Sequence, residues 1–448
     1  MISVSGIRGI VGEGLSPDLL VNFSAAVGTF YGPGKVMVGR DSRVTGEMVK
    51  HAVFSGLMSV GCDPVDLGVV PTPTVQLAVQ DSDAVGGIVV TASHNPIEWN
   101  ALKLLSPEGL FLDEAEGAEV KKMAEARSFP YVLWDKIGHV SEQFHAIDDH
   151  IRAVLEIPFV EVEKIRKRKF RVAYDCVNGA GGTILPKLLD ELGCECFPLN
   201  QEPNGRFAHT PEPVPANLGD LSRRVLQSGA DIGFAVDPDV DRLAIVAETG
   251  EPIGEEYTVT LAVWFVLSRK AGNVVVNVST TRAVDDVAKQ FGADVIRTPV
   301  GEIHVAKKMK EVGAVIGGEG NGGVILPGVH LGRDAPVGIA LTLQHLLEWC
   351  GAASALWKSM PQYAITKNKI EIGTSDPDRI VERILYNHRH ENMNRIDGLK
   401  IERPDSWVQI RKSNTEPIIR VMSEARTARE SEELCHAFLR EIKEMDGR

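Results

Sequence analysis

The chain has 448 residues, 44% hydrophobic and 24% charged, and its 61 acidic against 48 basic side chains leave a net charge of −13. That length exceeds one ordinary core and predicts about three domains, while the acidic balance disfavours nucleic acid, whose binding rests on Lys and Arg at phosphates. No apolar run reaches the roughly 18 residues of a membrane span, no basic-then-apolar leader opens the chain, and the six scattered cysteines form no Cys-x-x-Cys pair, so a reduced, cytoplasmic protein without a zinc site is expected.

Taken in order, the predicted elements repeat. Lys35-Val36-Met37-Val38-Gly39 reads as a strand, a helical stretch follows, and Gly61 opens the next extended segment. Arg171–Tyr174, a helix over 184–192 and a strand starting near Gly193 form the second unit. Val274–Val278, a helix over 283–291 and extended structure from Gly292 form the third. Each helix stops at a glycine, as a left-handed C-terminal cap requires. Strand–helix–strand units of this kind predict mostly parallel sheets with helices packed on them. Each unit then adds one more apolar strand that runs into a polar loop. These are Gly87–Val90 before Ser93 and His94, Ile232–Val236 before Asp237–Arg242, and Ala314–Gly317 before Gly318–Gly323. The last segment alternates instead, at Lys369–Ile372 and Trp407–Arg411, with Ile418–Val421 extended and a closing helix from about Glu430. Alternation predicts an antiparallel sheet with one solvated face. The fold class is therefore α/β: three similar α/β/α domains (1–145, 146–250, 251–365) with mixed, mostly parallel sheets, plus a smaller C-terminal α+β domain (366–448), all around one cleft.

The loops carry the chemistry. Thr91-Ala92-Ser93-His94-Asn95-Pro96 ends a buried strand, where α/β proteins tend to place their sites. The Gly-x-Ser-x-Gly elbow of a hydrolase is absent, and His94 is too near in sequence to serve Ser93 well as a base. Asp237, Asp239 and Asp241 alternate, so on an extended segment they share a face. Three such carboxylates repel unless a cation lies between them, and hard oxygen ligands suit Mg²⁺ or Ca²⁺. Glu248 falls at the twelfth position of an EF-hand loop, but Arg242 takes the glycine position and the flanks are strands. Gly318-x-Gly320-x-x-Gly323 matches a dinucleotide fingerprint, yet it runs into Val324-Ile325-Leu326-Pro327 instead of opening a helix. Glu319 and Asn321 are better read as ligands of hydroxyl groups, with glycines admitting close backbone approach. Three short basic clusters could meet an anionic small substrate, Ile7-Arg8, Arg40-Asp41-Ser42-Arg43 and Arg411–Thr415, and in the last Ser413 or Thr415 could instead cap a helix. Arg411, Ser413, Asn414, Thr415 and Arg420 offer the guanidinium, hydroxyl and amide donors that phosphate recognition uses. Lys103 becomes an acid or base if desolvation depresses its pKa.

With these four loops in this order, the chain resembles the α-D-phosphohexomutases: phosphoglucomutase, phosphomannomutase and phosphoglucosamine mutase. Residues 91–96 resemble the family's phosphoserine loop, 237–242 its Mg²⁺ loop, 318–322 its sugar-binding loop and 411–417 its phosphate loop. The resemblance implies that phosphorylated Ser93 gives its phosphoryl group to a hexose monophosphate. The 1,6-bisphosphate then turns around in the cleft and returns its other phosphate to Ser93. It implies Mg²⁺ at Ser93, Asp237, Asp239 and Asp241, with a hexose 1,6-bisphosphate as activator. It places Arg8, His94 and Lys103 around the transferring group and Arg242 beside the metal loop. Glu319 and Asn321 would meet sugar hydroxyls, and Arg411, Ser413, Asn414, Thr415 and Arg420 the idle phosphate. The implied partner is a small sugar phosphate, with no nucleic acid and no membrane, and the assembly a monomer or homodimer.

Four positions depart from common family patterns. Asn321 stands where many bacterial members carry serine, Gly323 where many carry histidine, Glu302 where some phosphomannomutases carry histidine, and Ala101 where glycine is usual. The Asn321 form is more similar to archaeal-type mutases and acetylglucosamine mutases. These departures leave the sugar open among glucosamine, glucose and mannose. Two other readings use the same residues: a Mg²⁺-dependent sugar-phosphate phosphatase, and a sugar-phosphate-binding protein without catalysis.

Overall fold

The computed structural model describes residues 2–3, 6–372, 376–412 and 418–445. Its strands fall into four sheets. The first runs in space Ile2–Ser3, Gly6–Ile10, Trp99–Leu105, Gly86–Val90, Lys35–Arg40, Asp63–Val69, Ser141–Glu142. Strand Lys35–Arg40 pairs in parallel with both its neighbours, and Gly86–Val90 pairs antiparallel with Trp99–Leu105. The second sheet orders Leu243–Ala247, Ile232–Val236, Arg171–Asp175, Glu195–Leu199, and the third Val295–Thr298, Val274–Asn277, Ile316–Glu319, Gly323–Ile325. In both, three strands are parallel and the last added is antiparallel. The fourth sheet has five strands and is antiparallel throughout.

This topology explains the repeat. In each of the first three sheets the polar loop joins a buried parallel strand to its antiparallel neighbour. The strands before and after the aspartate loop, Ile232–Val236 and Leu243–Ala247, are buried at every position. A sheet covered on both faces selects such continuous apolar runs, and its polar residues are displaced to the connection. The glycines after the repeating helices, Gly61, Gly193 and Gly292, have φ of 86°, 66° and 65°. Some bounds shift. The strand predicted from Ala314 runs from Ile316 to Glu319, so Glu319 closes a strand and the loop proper is Gly320–Gly322. One apolar core runs without interruption from Ile151 through Val263 to Leu346, so the second and third units fold onto each other.

The fourth domain packs Val408, Ile410, Ile419 and Val421 against helices Pro377–Asn387 and Ala428–Met445. Its other sheet face is not simply solvated, as alternation implies. Trp407, Gln409 and Glu424 are buried there against the third domain. Glu424 accepts from the Arg282 amide, Ser279 donates to Gln409 Oε1 at 2.6 Å, and Lys400 donates to the Val278 carbonyl at 2.8 Å. Lys400 also lies 4.3 Å over the Trp407 ring. Burial, reinforced by Arg297, brings its ammonium down to about 7. A lysine lowered on folding costs stability while charged, and the cost disappears as pH rises from the folded toward the unfolded pKa. The melting temperature of wild type relative to Lys400→Met is therefore expected to rise between pH 7 and 9.5. A pH-independent difference in thermal melts contradicts this.

Candidate active site

Ser93 sits left-handed at φ 50° just past the strand end, and its side chain is buried. A non-glycine residue adopts that conformation at a cost, and its neighbours must impose it. Here they do. The Ser93 amide donates to Thr91 Oγ1 at 2.9 Å, and Arg43 clamps the loop from below. Arg43 is 1% exposed. Its Nη2 donates to the carbonyls of Ser93 and Asn95, and its Nη1 to those of Pro96 and Trp99. Nε meets Asp41 Oδ2 at 3.0 Å, and Asp41 in turn accepts from Thr91 Oγ1 at 2.6 Å. The basic cluster at 40–43 thus contributes a buried brace through Arg43.

The clamp aims Ser93 at the aspartate loop. Ser93 Oγ donates to Asp237 Oδ2 at 2.7 Å, across 144 residues of sequence. Asp237, Asp239 and Asp241 are fully buried, with one ligand atom from each within 4.8 Å of the others. Among the described residues this is the one His/Cys/Asp/Glu group with a metal-holding arrangement. The loop is pinned from three domains: Thr72 N binds the Asp239 carbonyl, Ala180 N that of Pro238 and Ala335 N that of Val240. Val240 is held at φ 62°. Burial, then the neighbouring Asp241 and Asp239, push the Asp237 carboxyl well above its usual range. Asp239 is opposite: burial resists its ionisation, but Lys103 overrides and holds it below the usual range. Oδ1 of Asp239 and Oδ1 of Asp241 are buried without a hydrogen-bond partner. Crowded carboxylates with orphaned oxygens fit a hard divalent cation.

Lys103 Nζ lies 2.7 Å from Asp239 Oδ2 and 3.5 Å from Asp241 Oδ2. The depressed pKa that the sequence reading required of it does not occur. Burial acts in that direction, but Asp239 and Asp241 outweigh it and raise the ammonium above its ordinary value. His94 has the reverse fate: burial and then Arg242 lower its imidazole to about 2, so the ring is neutral. Arg8 Nη1 donates to Asn95 Oδ1 at 3.0 Å, and Arg242 reaches Glu212 at 3.2 Å while its amide binds Asp237 Oδ1. Arg8, Ser93, His94, Lys103, Arg242 and Glu319 all line one cavity of about 330 Å³.

Glu319 and Asn321 form the opposite wall. Glu319 Oε1 accepts from Asn277 and the Gly301 amide, and Oε2 from Arg333 at 2.8 Å. Gly322 has φ 89°, and its carbonyl receives the Leu243 amide, so the loop leans on the strand after the aspartates. Asn321 and Val300 also line a second cavity, about 230 Å³, floored by the fourth domain. There Arg411 and Arg420 are directly opposed across two strands, and Lys367 lines the same cavity. Like charges in register repel, and the row is suited to an anion. Asp397 holds Arg411 at 2.9 Å and also accepts from the Val300 amide. Ser413, Asn414 and Thr415 lie outside the described residues.

Several residues at the site carry no local signal in the sequence. Thr72 donates to Asp239 Oδ2 at 2.6 Å, and Gln76, one turn on, reaches Glu302 at 3.0 Å. Arg333 pairs with Asp241, Glu302 and Glu319 together. Thr72 lies 167 residues from its partner, a separation no motif spans.

Fold and site together define a four-domain α/β protein whose cleft joins a buried serine, a three-carboxylate cluster and a row of cationic side chains. Four models of the phosphoglucomutase/phosphomannomutase family match the chain: its α/β/α domains I, II and III at residues 2–130, 148–250 and 254–363, and its C-terminal domain at 367–441. A protein of Methanopyrus kandleri named "Probable phosphoglucosamine mutase" is 37% identical, covering 97% of this chain and 96% of its own length. A "Phosphoglucomutase/phosphomannomutase" of Thermococcus kodakarensis is 38% identical over 98% of this chain and 97% of its own. A crystal structure of a phosphoglucomutase/phosphomannomutase family protein from Burkholderia thailandensis superposes with a TM-score of 0.85 at 28% identity, covering 99% and 98% of the two chains. The chain belongs to the phosphoglucomutase/phosphomannomutase family, and it is an enzyme of the mutase class, an intramolecular phosphotransferase. No helix among the described residues is long and apolar enough to cross a membrane.

Proposed function

We propose that the protein interconverts the 1- and 6-phosphates of an aldohexose, with glucosamine, glucose and mannose as the candidate sugars, through phosphorylated Ser93 and a hexose 1,6-bisphosphate. The observation that carries this reading is the Ser93 Oγ–Asp237 Oδ2 contact of 2.7 Å, which puts a hydroxyl at the edge of a three-carboxylate site. Mg²⁺ held by Asp237, Asp239 and Asp241 would neutralise charge on the transferring phosphoryl group. Phosphoryl transfer demands chiefly positioning and charge stabilisation, and the remaining residues supply both. Lys103, kept protonated, and Arg8 and Arg242 face the group in flight, and the neutral His94 offers an uncharged ring beside them. As the O–P bond at Ser93 breaks and one forms at the sugar, the sugar hydroxyl's proton ends on Ser93 Oγ. Lys103, held as an ammonium, would serve by giving its own proton to Ser93 Oγ and taking the sugar's in exchange.

The second cavity supports the reading that substrate is held at both ends. Arg411 and Arg420 would hold the idle phosphate, joined in that role by Ser413, Asn414 and Thr415. Glu319 and Asn321 would meet the sugar between the two ends, in either orientation.

The test supplies glucosamine, glucose, mannose and N-acetylglucosamine 1-phosphates, each with Mg²⁺ and catalytic hexose 1,6-bisphosphate. The 6-phosphate is expected to form without release of inorganic phosphate, and the ranking of kcat/KM identifies the sugar. Phosphate released in step with substrate loss would make the protein a phosphatase. Tight binding without turnover would make it a sensor.

A further inference from the structure

We propose that Arg333 is the positioning residue that locks the sugar-facing carboxylate of Glu319 to the cation-site carboxylate of Asp241, and that position 323 is glycine to let it do so. The inference rests on the mutase reading for the roles of those two carboxylates. Its geometric basis is independent of that reading.

Arg333 is buried, and each of its three guanidinium nitrogens is engaged. Nη2 reaches Asp241 Oδ2 at 2.6 Å, Nη1 reaches Glu319 Oε2 at 2.8 Å and Nε reaches Glu302 Oε2 at 2.9 Å. One guanidinium therefore fixes a carboxylate from the second domain and two from the third, at a strand end and at a helix start. A lysine, a point charge on a flexible stem, cannot reproduce that three-way geometry. The contact also divides labour within Asp241. Oδ2 is taken by Arg333, and Oδ1 is left buried without a hydrogen bond, with only Arg242 Nε at 3.9 Å. Glu319 is bound at both oxygens, by Arg333 on one side and by Asn277 and the Gly301 amide on the other.

The base of Arg333 is rigid. The next residue, Asp334, caps helix Ala335–Trp349 by accepting from the Val337 amide at 3.0 Å. Its other oxygen meets His150 and His330, each at 2.9 Å, and His150 is tied to Thr74 at 2.8 Å. The first three domains thus converge on the backbone that presents Arg333.

The Arg333 stem crosses the backbone of Gly323. A Cβ at that position would lie 2.2 Å from Arg333 Cδ and 2.8 Å from Cγ, with Asn321 Oδ1 next at 3.1 Å. The space a side chain at 323 would use is filled by Arg333. A single methyl at 323 therefore displaces the guanidinium without removing any charge from the cleft.

The test is a double-mutant cycle on Gly323→Ala and Arg333→Ala in the full chain. It is read as the calorimetric Kd for glucosamine 6-phosphate and, separately, as kcat and KM. Gly323→Ala is expected to raise Kd and KM at least about tenfold while the protein stays folded, because misplaced recognition groups are costly. Arg333→Ala is expected to raise them at least as much, and the double variant to match Arg333→Ala within about twofold, since contacting residues fail additivity. A second readout excludes a purely structural role. Burial disfavours ionised Glu319, and Arg333 first, then the Asn277 and Gly301 donors and lastly Arg242, hold its carboxyl below the usual range. The acid limb of kcat/KM is thus expected to move to higher pH in Arg333→Ala. Wild-type affinity in folded Gly323→Ala, or penalties that multiply in the double variant, would overturn the proposal. Should Arg333→Ala not fold, Gly323→Ala alone decides. If wild type fails to isomerise hexose phosphates, the mutase reading falls, and the Kd cycle still judges Arg333.

Discussion

Ser93→Ala is expected to abolish interconversion of hexose 1- and 6-phosphates, lowering kcat by on the order of 10⁴-fold or more, as loss of a covalent carrier does. The substitution removes one oxygen. It leaves Asp237, Asp239, Asp241 and Lys103 in place, and the loop keeps its shape because Arg43 grips main-chain carbonyls. KM and fold should therefore change little, and the defect should sit in kcat. Supplying more hexose 1,6-bisphosphate does not rescue a protein with nowhere to receive the phosphoryl group. Turnover within about tenfold of wild type in a coupled assay would mean that another group carries the phosphate.

Arg43→Met is expected to be the most destabilising single change near the site. It strands Asp41 in the core and leaves the carbonyls of Ser93, Asn95, Pro96 and Trp99 without their donor. Breaking a buried pair by removing one partner costs about 3–5 kcal/mol, a shift on the order of 10 °C in the first thermal transition. Activity should fall further than stability alone dictates, because Ser93 depends on that clamp for its left-handed backbone. The contrast is Arg152, whose pair with Asp149 is exposed, 62% and 40% for the two side chains. Surface pairs contribute about 0–1 kcal/mol, so Arg152→Met should melt nearly as wild type. Equal melting temperatures for the two variants would refute the bracing role of Arg43.

The parts of the site written in short stretches of chain were legible before any coordinates. Alternate aspartates at 237, 239 and 241 declare a shared face by period alone, and apolar runs on either side declare buried strands. The three-fold repeat was legible for the same reason, since each unit is local. What escaped was everything that depends on packing between domains. Thr72 and Gln76 look like ordinary polar residues of a short helix until Asp239 and Glu302 come to rest beside them. Arg43 stands in the sequence only as part of a short basic cluster, and the fold buries it with its donors on backbone oxygens. Lys103 shows the limit most clearly: desolvation argues for a lowered pKa, and two carboxylates from another domain reverse it. Glycine at 323 is likewise explained only when Arg333 is seen to lie across it.

Following the phosphate itself tests the phosphoserine route most directly. Dephosphorylated wild-type protein is incubated with a hexose 1,6-bisphosphate, measured by intact mass, digested and mapped, then challenged with unlabelled hexose 1-phosphate. One phosphoryl group per chain is expected, located on Ser93, followed by its transfer to the sugar as 1,6-bisphosphate. Phosphate on a different residue, or its release to water when the sugar is added, would contradict it.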